Sequence, residues 1–239
     1  MTDKKSHKKK PIFKPDDTEV QDIRQYEENH FIDTSKPVWN YSLLTDEDVT
    51  NFQAGTQYQL YKKFGSHVVC IHGRWGMYFC VWAPNATSVS VKGNFNKWKN
   101  HEYELFPRWD KSGIWEGFIP DCKYGEAYKY HFVGFAKRKL DKGDPFANYW
   151  ELRPQTASIA WDMYYQWNDV AWMKKRKKNN SLNAPWSVYE VHLASWQRPD
   201  KNNEDSYNTY DEIRERLVHY VKEMGFTHVE LMPVMEHPF

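Results

Sequence analysis

Hydrophobic and polar residues alternate with a period of two through the middle of the chain. In the run AYKYHFVG (127–134), the large aromatic residues fall on one side of an extended strand, and the lysine and histidine fall on the other. Similar short runs, separated by Gly, Pro, Asn and Asp, continue from residue 66 to residue 162. This pattern predicts an all-β, immunoglobulin-like antiparallel sandwich over 66–162, with Trp82 and Trp115 in its core.

The residues before the predicted sandwich divide into a tail and a helical segment. Residues 1–17 are rich in lysine and lack an apolar stretch, so we predict a disordered basic tail rather than a secretory signal. Residues 18–65 are predicted to be mostly helical. Thr45 precedes an acidic turn with Asp48 three positions on, which is the spacing of a helix N-cap.

The residues after the predicted sandwich indicate a different fold class. Residues 163–185 predict a short helix with a basic end, followed by a polar linker. Residues 186–239 predict a strand, an amphipathic helix capped by Thr209 and Glu212, and a second strand that runs parallel to the first. One β-α-β unit cannot cover both faces of its strands. We therefore expect 186–239 to be the incomplete start of a larger α/β domain.

Composition narrows the choice of partners. Lys and Arg number 33 against 32 Asp and Glu, and this balance argues against a nucleic-acid-binding protein driven by bulk charge. The lysines of the tail leave open a contact with nucleic acid or a membrane surface, but a solvated tail is the simpler interpretation. The sequence contains no run of eighteen apolar residues, so we predict no membrane span. The three cysteines lack metal-ligand spacing, so we predict reduced thiols in a cytoplasmic protein and no metal site.

Several motifs carry a family resemblance over about residues 40–239. The runs GMYFCVWAPNATSVSVKGNFNKW, GEAYKYHF and ELRPQTASIAWD resemble the family 48 carbohydrate-binding module. The runs APWSVYEVHLASW and YVKEMGFTHVELMPVMEHPF resemble the start of the catalytic (β/α)₈ barrel in bacterial 1,4-α-glucan (glycogen) branching enzymes of glycoside hydrolase family 13. The fold implied is a carbohydrate-binding sandwich followed by the first β-α-β of a barrel.

The resemblance implies an activity that this chain does not complete. Such enzymes are retaining transglycosylases that cleave an α-1,4 bond and pass the glucan to a 6-hydroxyl. Retaining chemistry needs two carboxyl groups about 5 Å apart. In the family, the catalytic carboxylates lie on later barrel strands, so none is assigned within 1–239. We expect this chain to have no branching activity of its own and to need no cofactor.

The resemblance also implies a glucan-binding site on the sandwich. Trp98 matches a loop tryptophan that contacts glucan, Lys129 matches a lysine two strands later, and Asn94 and Asn96 flank the loop. An exposed aromatic ring suits the apolar face of a sugar, while polar side chains reach its hydroxyls. The family's second tryptophan has no counterpart in GFAKRKLDKGD (134–144). The alternative for Trp98 is a structural ring folded under the loop onto the strands.

Acidic and histidine residues of the last segment are weaker candidates. The spacing of Glu190, His192 and Glu230 matches no metal-binding or catalytic motif, and we expect these side chains to pack as polar layers of a barrel interior. Glu236 and His237 follow the second predicted strand, on the side where barrel active sites open. They are predicted to lie at the rim of the active site in a complete enzyme.

The chain is predicted to be the N-terminal part of a branching enzyme that binds α-glucan. Two alternatives to this function remain open. A non-catalytic glucan-binding protein would need the module but not the motifs of residues 186–239. Debranching and trehalose-releasing enzymes of family 13 carry the same module. The sequence does not predict an oligomeric state.

Overall fold

The described residues form two compact units. A computed structural model of the chain describes residues 31–134, 137–163, 165–203 and 206–234. The predicted tail over 1–17 lies outside these residues. The first unit ends at residue 165, and the second begins at residue 166.

The first unit is built mainly from β-strands. Their bounds are β1 Gly65–Ile71, β2 Arg74–Trp82, β3 Ala86–Gly93, β4 Phe106–Pro107, β5 Ile114–Pro120, β6 Ala127–Gly134, β7 Lys139–Lys142, β8 Tyr149–Trp150 and β9 Ser158–Ile159. Among the described residues, β1-β2-β5-β4 form an antiparallel sheet that we call the first sheet. The second sheet has the order β3-β6-β9-β8, and β7 also pairs with β6.

The two sheets share one hydrophobic core. Phe79 of β2 and Val91 of β3 are fully buried in the same cluster as Tyr128 and Tyr130 of β6. The rings of Phe79 and Tyr128 meet edge to face with centroids 4.9 Å apart, a favourable aromatic geometry. Residues from both sheets therefore interdigitate, and the predicted β-sandwich is confirmed.

The opposite face of the first sheet is covered by residues 31–64. Helix α1 (Asp46–Gln53) begins after the predicted N-cap Thr45, and Thr45 and Asp48 form a capping box in which each side chain bonds the other's backbone N–H. A short 3₁₀-helix follows at Leu60–Lys62. The prediction of a mostly helical segment is wrong for residues 31–44. Trp39 exchanges backbone hydrogen bonds with Phe118 of β5, and buried side chains on both sides of Trp39 pack in non-helical backbone. Burial against the sheet overrides local helix preference there.

The two tryptophans predicted in the core have different environments. Trp115 is 8% exposed and packs between the sheets, so that prediction is confirmed. Trp82 is 54% exposed, and its prediction is wrong. It is the last residue of β2, where the sheet ends. Its indole Nε1 donates to the carbonyl of Ser112 at 3.0 Å, and its ring meets Phe52 at 5.9 Å.

The second unit contains a β-α-β arrangement. Its elements are α2 Val170–Asn179, β10 Val188–Val191, α3 Tyr210–Glu223 and β11 His228–Leu231. Strands β10 and β11 are parallel, as the sequence predicts, and the predicted capping box of Thr209 and Glu212 starts α3. The apolar face of α3 packs on Val191. The residues of β11 are all exposed within this unit, which leaves one side of the strand pair uncovered.

The three cysteines are free and buried. Burial, with the Glu126 carboxylate nearby, raises the pKa of the Cys122 thiol far above its usual value, which keeps the thiol protonated and unreactive. None of the helices in the described ranges has the length and apolarity needed to cross a bilayer.

Candidate functional site

The loop that follows β3 is held in shape by Asn96. The chain leaves the strand at Gly93 through one 3₁₀ turn, Asn94–Asn96. Asn96 is 5% exposed, and its Oδ1 accepts from the N–H of Gly93 at 2.9 Å. Its Nδ2 donates to the carbonyls of Val91 and Lys99. The predicted glucan contact of Asn96 is therefore wrong, because its side-chain amide is buried and bonds the backbone of the loop.

Gly93 allows this loop to lie close to the second sheet. A Cβ at Gly93 would fall 2.3 Å from the carbonyl oxygen of Ala127 and 2.7 Å from the ring of Phe95. Phe95 packs against the sandwich core, and its ring meets Tyr103 edge to face at 5.4 Å. Phe95 is thus the aromatic residue that anchors the loop to the core.

Trp98 lies on the outside of the same loop. Lys97 and Trp98 both have positive φ, at 53° and 61°, so the chain reverses here. The side chain of Trp98 is partly exposed, and its indole Nε1 donates to Oδ1 of the exposed Asn94 at 3.0 Å. Because Phe95 fills the core position, this arrangement favours a surface role for Trp98 over the structural alternative, with Asn94 orienting the ring.

Lys129 lies beside this loop on the outer face of the second sheet. The register of β3 and β6 pairs Lys92 with Lys129 and Gly93 with Tyr128. The backbone N–H of Trp98 donates to the carbonyl of Gly93, which places the loop one position from Lys129. The register therefore places the start of the Trp98 loop next to the strand position of Lys129.

Lys129 and Lys92 each have a polar side-chain partner on this face. Nζ of Lys129 donates to Oγ1 of Thr156 at 2.7 Å. Nζ of Lys92 donates to Asn100 at 3.0 Å and forms an ion pair with Asp141 at 2.9 Å. Lys129 is thus bonded to a neutral hydroxyl and retains N–H donors for a ligand. Thr156 was not predicted, since no strand pattern in the sequence places it next to Lys129.

The carboxylate of Asp141 joins two basic side chains on this face. Asp141 accepts from Nδ1 of His131 at 2.7 Å as well as from Lys92. Burial acts to raise the pKa of Asp141, but the hydrogen bonds from Lys92 and His131 outweigh it and hold the pKa below its usual value. The folded unit therefore favours the ionised carboxylate.

The stability of the first unit is expected to depend on this carboxylate in acid. Because the pKa of Asp141 is lower folded than unfolded, its contribution is complete above the unfolded value of about 3.9 and is lost as pH falls through the lower folded value. Thermal unfolding from neutral pH to about pH 2.5 should show a smaller acid loss for Asp141→Asn than for the unchanged chain. Equal acid losses for the two proteins would contradict the assigned role.

The acidic and histidine candidates of the second unit form no assembled site in the described residues. Glu190 and Glu230 face each other across the parallel strands, and both are exposed, as is His192. Their predicted packing in a barrel interior remains a prediction. Glu236 and His237 lie outside the described residues. In the described ranges, no three His, Cys, Asp or Glu side chains are grouped so as to hold a metal ion.

Part of the first unit matches a known family model. Residues 63–147 match carbohydrate-binding module 48, the isoamylase N-terminal domain. The chain is 48% identical over 200 residues to 1,4-alpha-glucan branching enzyme GlgB of Aquifex aeolicus, a match that covers 83% of this chain and 31% of that protein. The match to the branching enzyme of Aromatoleum aromaticum is 46% identical and covers 83% and 30%. The chain corresponds to the N-terminal portion of these branching enzymes.

The similarity covers only part of each related protein. The chain spans about a third of the length of these branching enzymes. A maltotriose complex of a PulA mutant from Klebsiella pneumoniae has a similar fold, with a TM-score of 0.50 at 20% identity over 73% of this chain and 20% of that one. The family 48 module coincides with β1 to β7 of the sandwich, which includes the loop of Trp98 and the strand of Lys129.

Proposed function

We propose that the module binds α-glucan through Trp98 and Lys129 on the outer face of the second sheet. The indole of Trp98 lies against the apolar face of a glucosyl ring, and the Lys129 ammonium donates to its hydroxyls. Asn94 orients the indole, and Asn96 holds the loop from within. The observation that carries the proposal is the placement of Trp98 outside the core on a loop that Phe95 anchors, beside Lys129.

The module serves, in this proposal, a 1,4-α-glucan branching enzyme. Such an enzyme cleaves an α-1,4 bond, holds the glucan on a carboxylate, and transfers it to a 6-hydroxyl to form an α-1,6 branch. Retaining transfer needs a nucleophilic carboxylate and an acid–base carboxyl about 5 Å apart. In the family that the chain resembles, these carboxylates lie on later barrel strands, so we assign no catalytic residue within the described residues.

The second unit supports the enzyme over a binding protein alone. A β-α-β unit with parallel strands is the repeating element of a (β/α)₈ barrel, and such barrels place their active sites at the carboxyl ends of the strands. We therefore assign β10, α3 and β11 to the start of the catalytic barrel. Glu236 and His237, which follow β11, are proposed for the rim of its active site.

Trp98→Ala is expected to weaken glucan binding by about fivefold or more, because the sugar loses its aromatic contact. The measurement is the dissociation constant from affinity electrophoresis in gels containing glycogen or amylose. Trp172→Ala is the matched control, since Trp172 is 54% exposed on α2 in the second unit and should leave migration unchanged. Equal retention of the Trp98 variant and the unchanged chain would assign Trp98 to packing and refute the proposal.

A further inference from the structure

Three aromatic side chains lie together on the outer face of the second sheet. They are Tyr124 in the turn before β6, Tyr149 of β8 and Trp161 just after β9. The ring centroids of Tyr124 and Trp161 are 4.3 Å apart with planes inclined by 32°, and those of Tyr149 and Trp161 are 4.8 Å apart. We call these three residues the aromatic cluster. Tyr149 is 46% exposed, and the other two are partly exposed.

The strand register places the aromatic cluster on the same face as Lys129. Tyr149 is paired with Ile159, and Ile159 is paired with Ala127. Directly paired residues project to one side of a sheet, as do residues two apart on one strand. Ala127 and Lys129 therefore share the outer face with Tyr149. The inner face at this position is occupied by Tyr128 and Tyr130, which are buried in the core.

The aromatic cluster also lies toward the same end of the sheet as Trp98. The loop of Trp98 begins at Gly93, which is paired with Tyr128 near the start of β6. Backbone hydrogen bonds join Gly125 and Glu126 to Ala160, so Tyr124 and Trp161 adjoin the start of the same strand. Three strand spacings separate β3 from β8, which is about 14 Å across the sheet. A chain of several glucosyl units spans this width, and a single unit does not.

We infer that Tyr149, backed by Trp161 and Tyr124, is a second contact for an α-glucan chain that crosses the sheet from Trp98. The inference rests on the proposed function and extends it to a ligand of several glucosyl units. Residues 134–144, directly after β6, contain no tryptophan to match the family's second one, and the aromatic cluster supplies a ring from β8 instead. Lys129 and Thr156, which are bonded to each other, lie between the two aromatic contacts. Their polar groups are placed to hydrogen-bond the sugar hydroxyls along the path.

The rings of the aromatic cluster support one another through direct contact. Trp161 contacts both tyrosines, so the ring of Tyr149 rests on a packed support rather than moving freely. Burial, with the Asp162 carboxylate nearby, raises the pKa of Tyr124 to about 12, so its ring remains neutral in use. A preordered aromatic surface loses little conformational entropy when a sugar binds.

The neighbouring Trp150 belongs to a different environment. Its indole lies over Gly143, where a Cβ would fall 2.3 Å from the ring, and its strand partner is the buried Ser158. Successive residues of a strand project to opposite faces. Trp150 therefore does not contribute to the outer face, and the assignment is limited to the aromatic cluster.

The test measures the affinity of the whole chain for maltotriose and for maltoheptaose by calorimetry. We expect Tyr149→Ala to weaken maltoheptaose binding by about fivefold and to leave maltotriose binding unchanged, since only the longer ligand reaches β8. Trp98→Ala should weaken both ligands. Tyr58→Ala is the control, because Tyr58 is 84% exposed away from this face and should affect neither ligand.

The outcomes separate this inference from the proposed function. Tyr149→Ala with unchanged maltoheptaose affinity, in a chain that still depends on Trp98, overturns the second contact and leaves the first. A chain that binds neither ligand overturns both. Tyr149→Thr, which suits a strand equally well, repeats the comparison if the alanine variant unfolds. Its expected result is the same selective loss of maltoheptaose binding.

Discussion

Arg108→Ala is expected to lower the free energy of unfolding of the first unit by about 3–5 kcal/mol. The Arg108 side chain is fully buried and bonds Glu116 at 2.9 Å and Asp110 at 2.8 Å. It also donates to the hydroxyl of Ser42 and stacks on Trp109 at 4.2 Å. Burial acts to lower the pKa of Arg108, but Glu116 and Asp110 outweigh it and raise the pKa, so the guanidinium stays charged.

The size of this effect follows from what the variant leaves behind. Glu116 is 4% exposed, and it also accepts hydrogen bonds from Ser42 and from the hydroxyl of Tyr78. Without Arg108, its carboxylate has no cationic partner in a site from which water is excluded, and a buried unpaired charge is strongly destabilising. Because Ser42 belongs to residues 31–44, the same change loosens that segment from the first sheet.

Denaturant unfolding followed by tryptophan fluorescence measures the Arg108 effect. Arg74→Ala is the matched control, because Arg74 pairs with Asp121 at the surface and its loss should cost less than about 1 kcal/mol. The double variant Arg108→Met with Glu116→Leu should recover part of the loss, since it removes both charges and keeps similar volume. A cost for Arg108→Ala no larger than the control would contradict the account of this cluster.

Asp144→Ala is expected to cost about 3 kcal/mol, because it removes an acceptor from two buried hydroxyl groups and leaves that of Tyr128 without its partner. Asp144 is fully buried and accepts from the hydroxyl of Tyr128 at 2.6 Å and from that of Tyr130 at 3.0 Å. It also accepts from the backbone N–H of Phe146. Burial raises the pKa of Asp144 above its usual value, although these hydrogen bonds oppose the shift.

A rescue experiment identifies the cause of the Asp144 effect. Adding Tyr128→Phe to Asp144→Ala removes the orphaned hydroxyl, so the double variant should be more stable than Asp144→Ala alone. Thermal unfolding of the four proteins in the cycle provides the comparison. Additive costs would mean that Tyr128 and Asp144 do not interact. Since Tyr128 and Tyr130 flank Lys129 on β6, Asp144→Ala should also weaken glucan binding.

Local signals in the sequence predicted the local structure well. The period of two predicted the sandwich, and the capping residues Thr45 and Thr209 predicted the starts of α1 and α3. These features depend on neighbours within a few residues, which the sequence displays directly. The parallel pairing of β10 and β11 followed from the crossover between them.

Features that depend on distant residues were missed or wrong. Residues 31–44 are not helical, because Trp39 pairs with Phe118, a partner 79 positions away. Asn96 resembles a surface residue in sequence, yet the reversal at Lys97 turns its amide inward. The aromatic cluster depends on the pairing of β8 with β9, two strands of two residues each, which are too short to carry a periodic signal.

The central claim is that α-glucan binds the outer face of the second sheet at Trp98 and Lys129. Amide and indole chemical shifts of the ¹⁵N-labelled chain, recorded during titration with maltoheptaose, test it most directly. We predict the largest changes at the Trp98 indole and at the backbone of Lys129 and Thr156. Changes confined to the first sheet or to the second unit would contradict the claim.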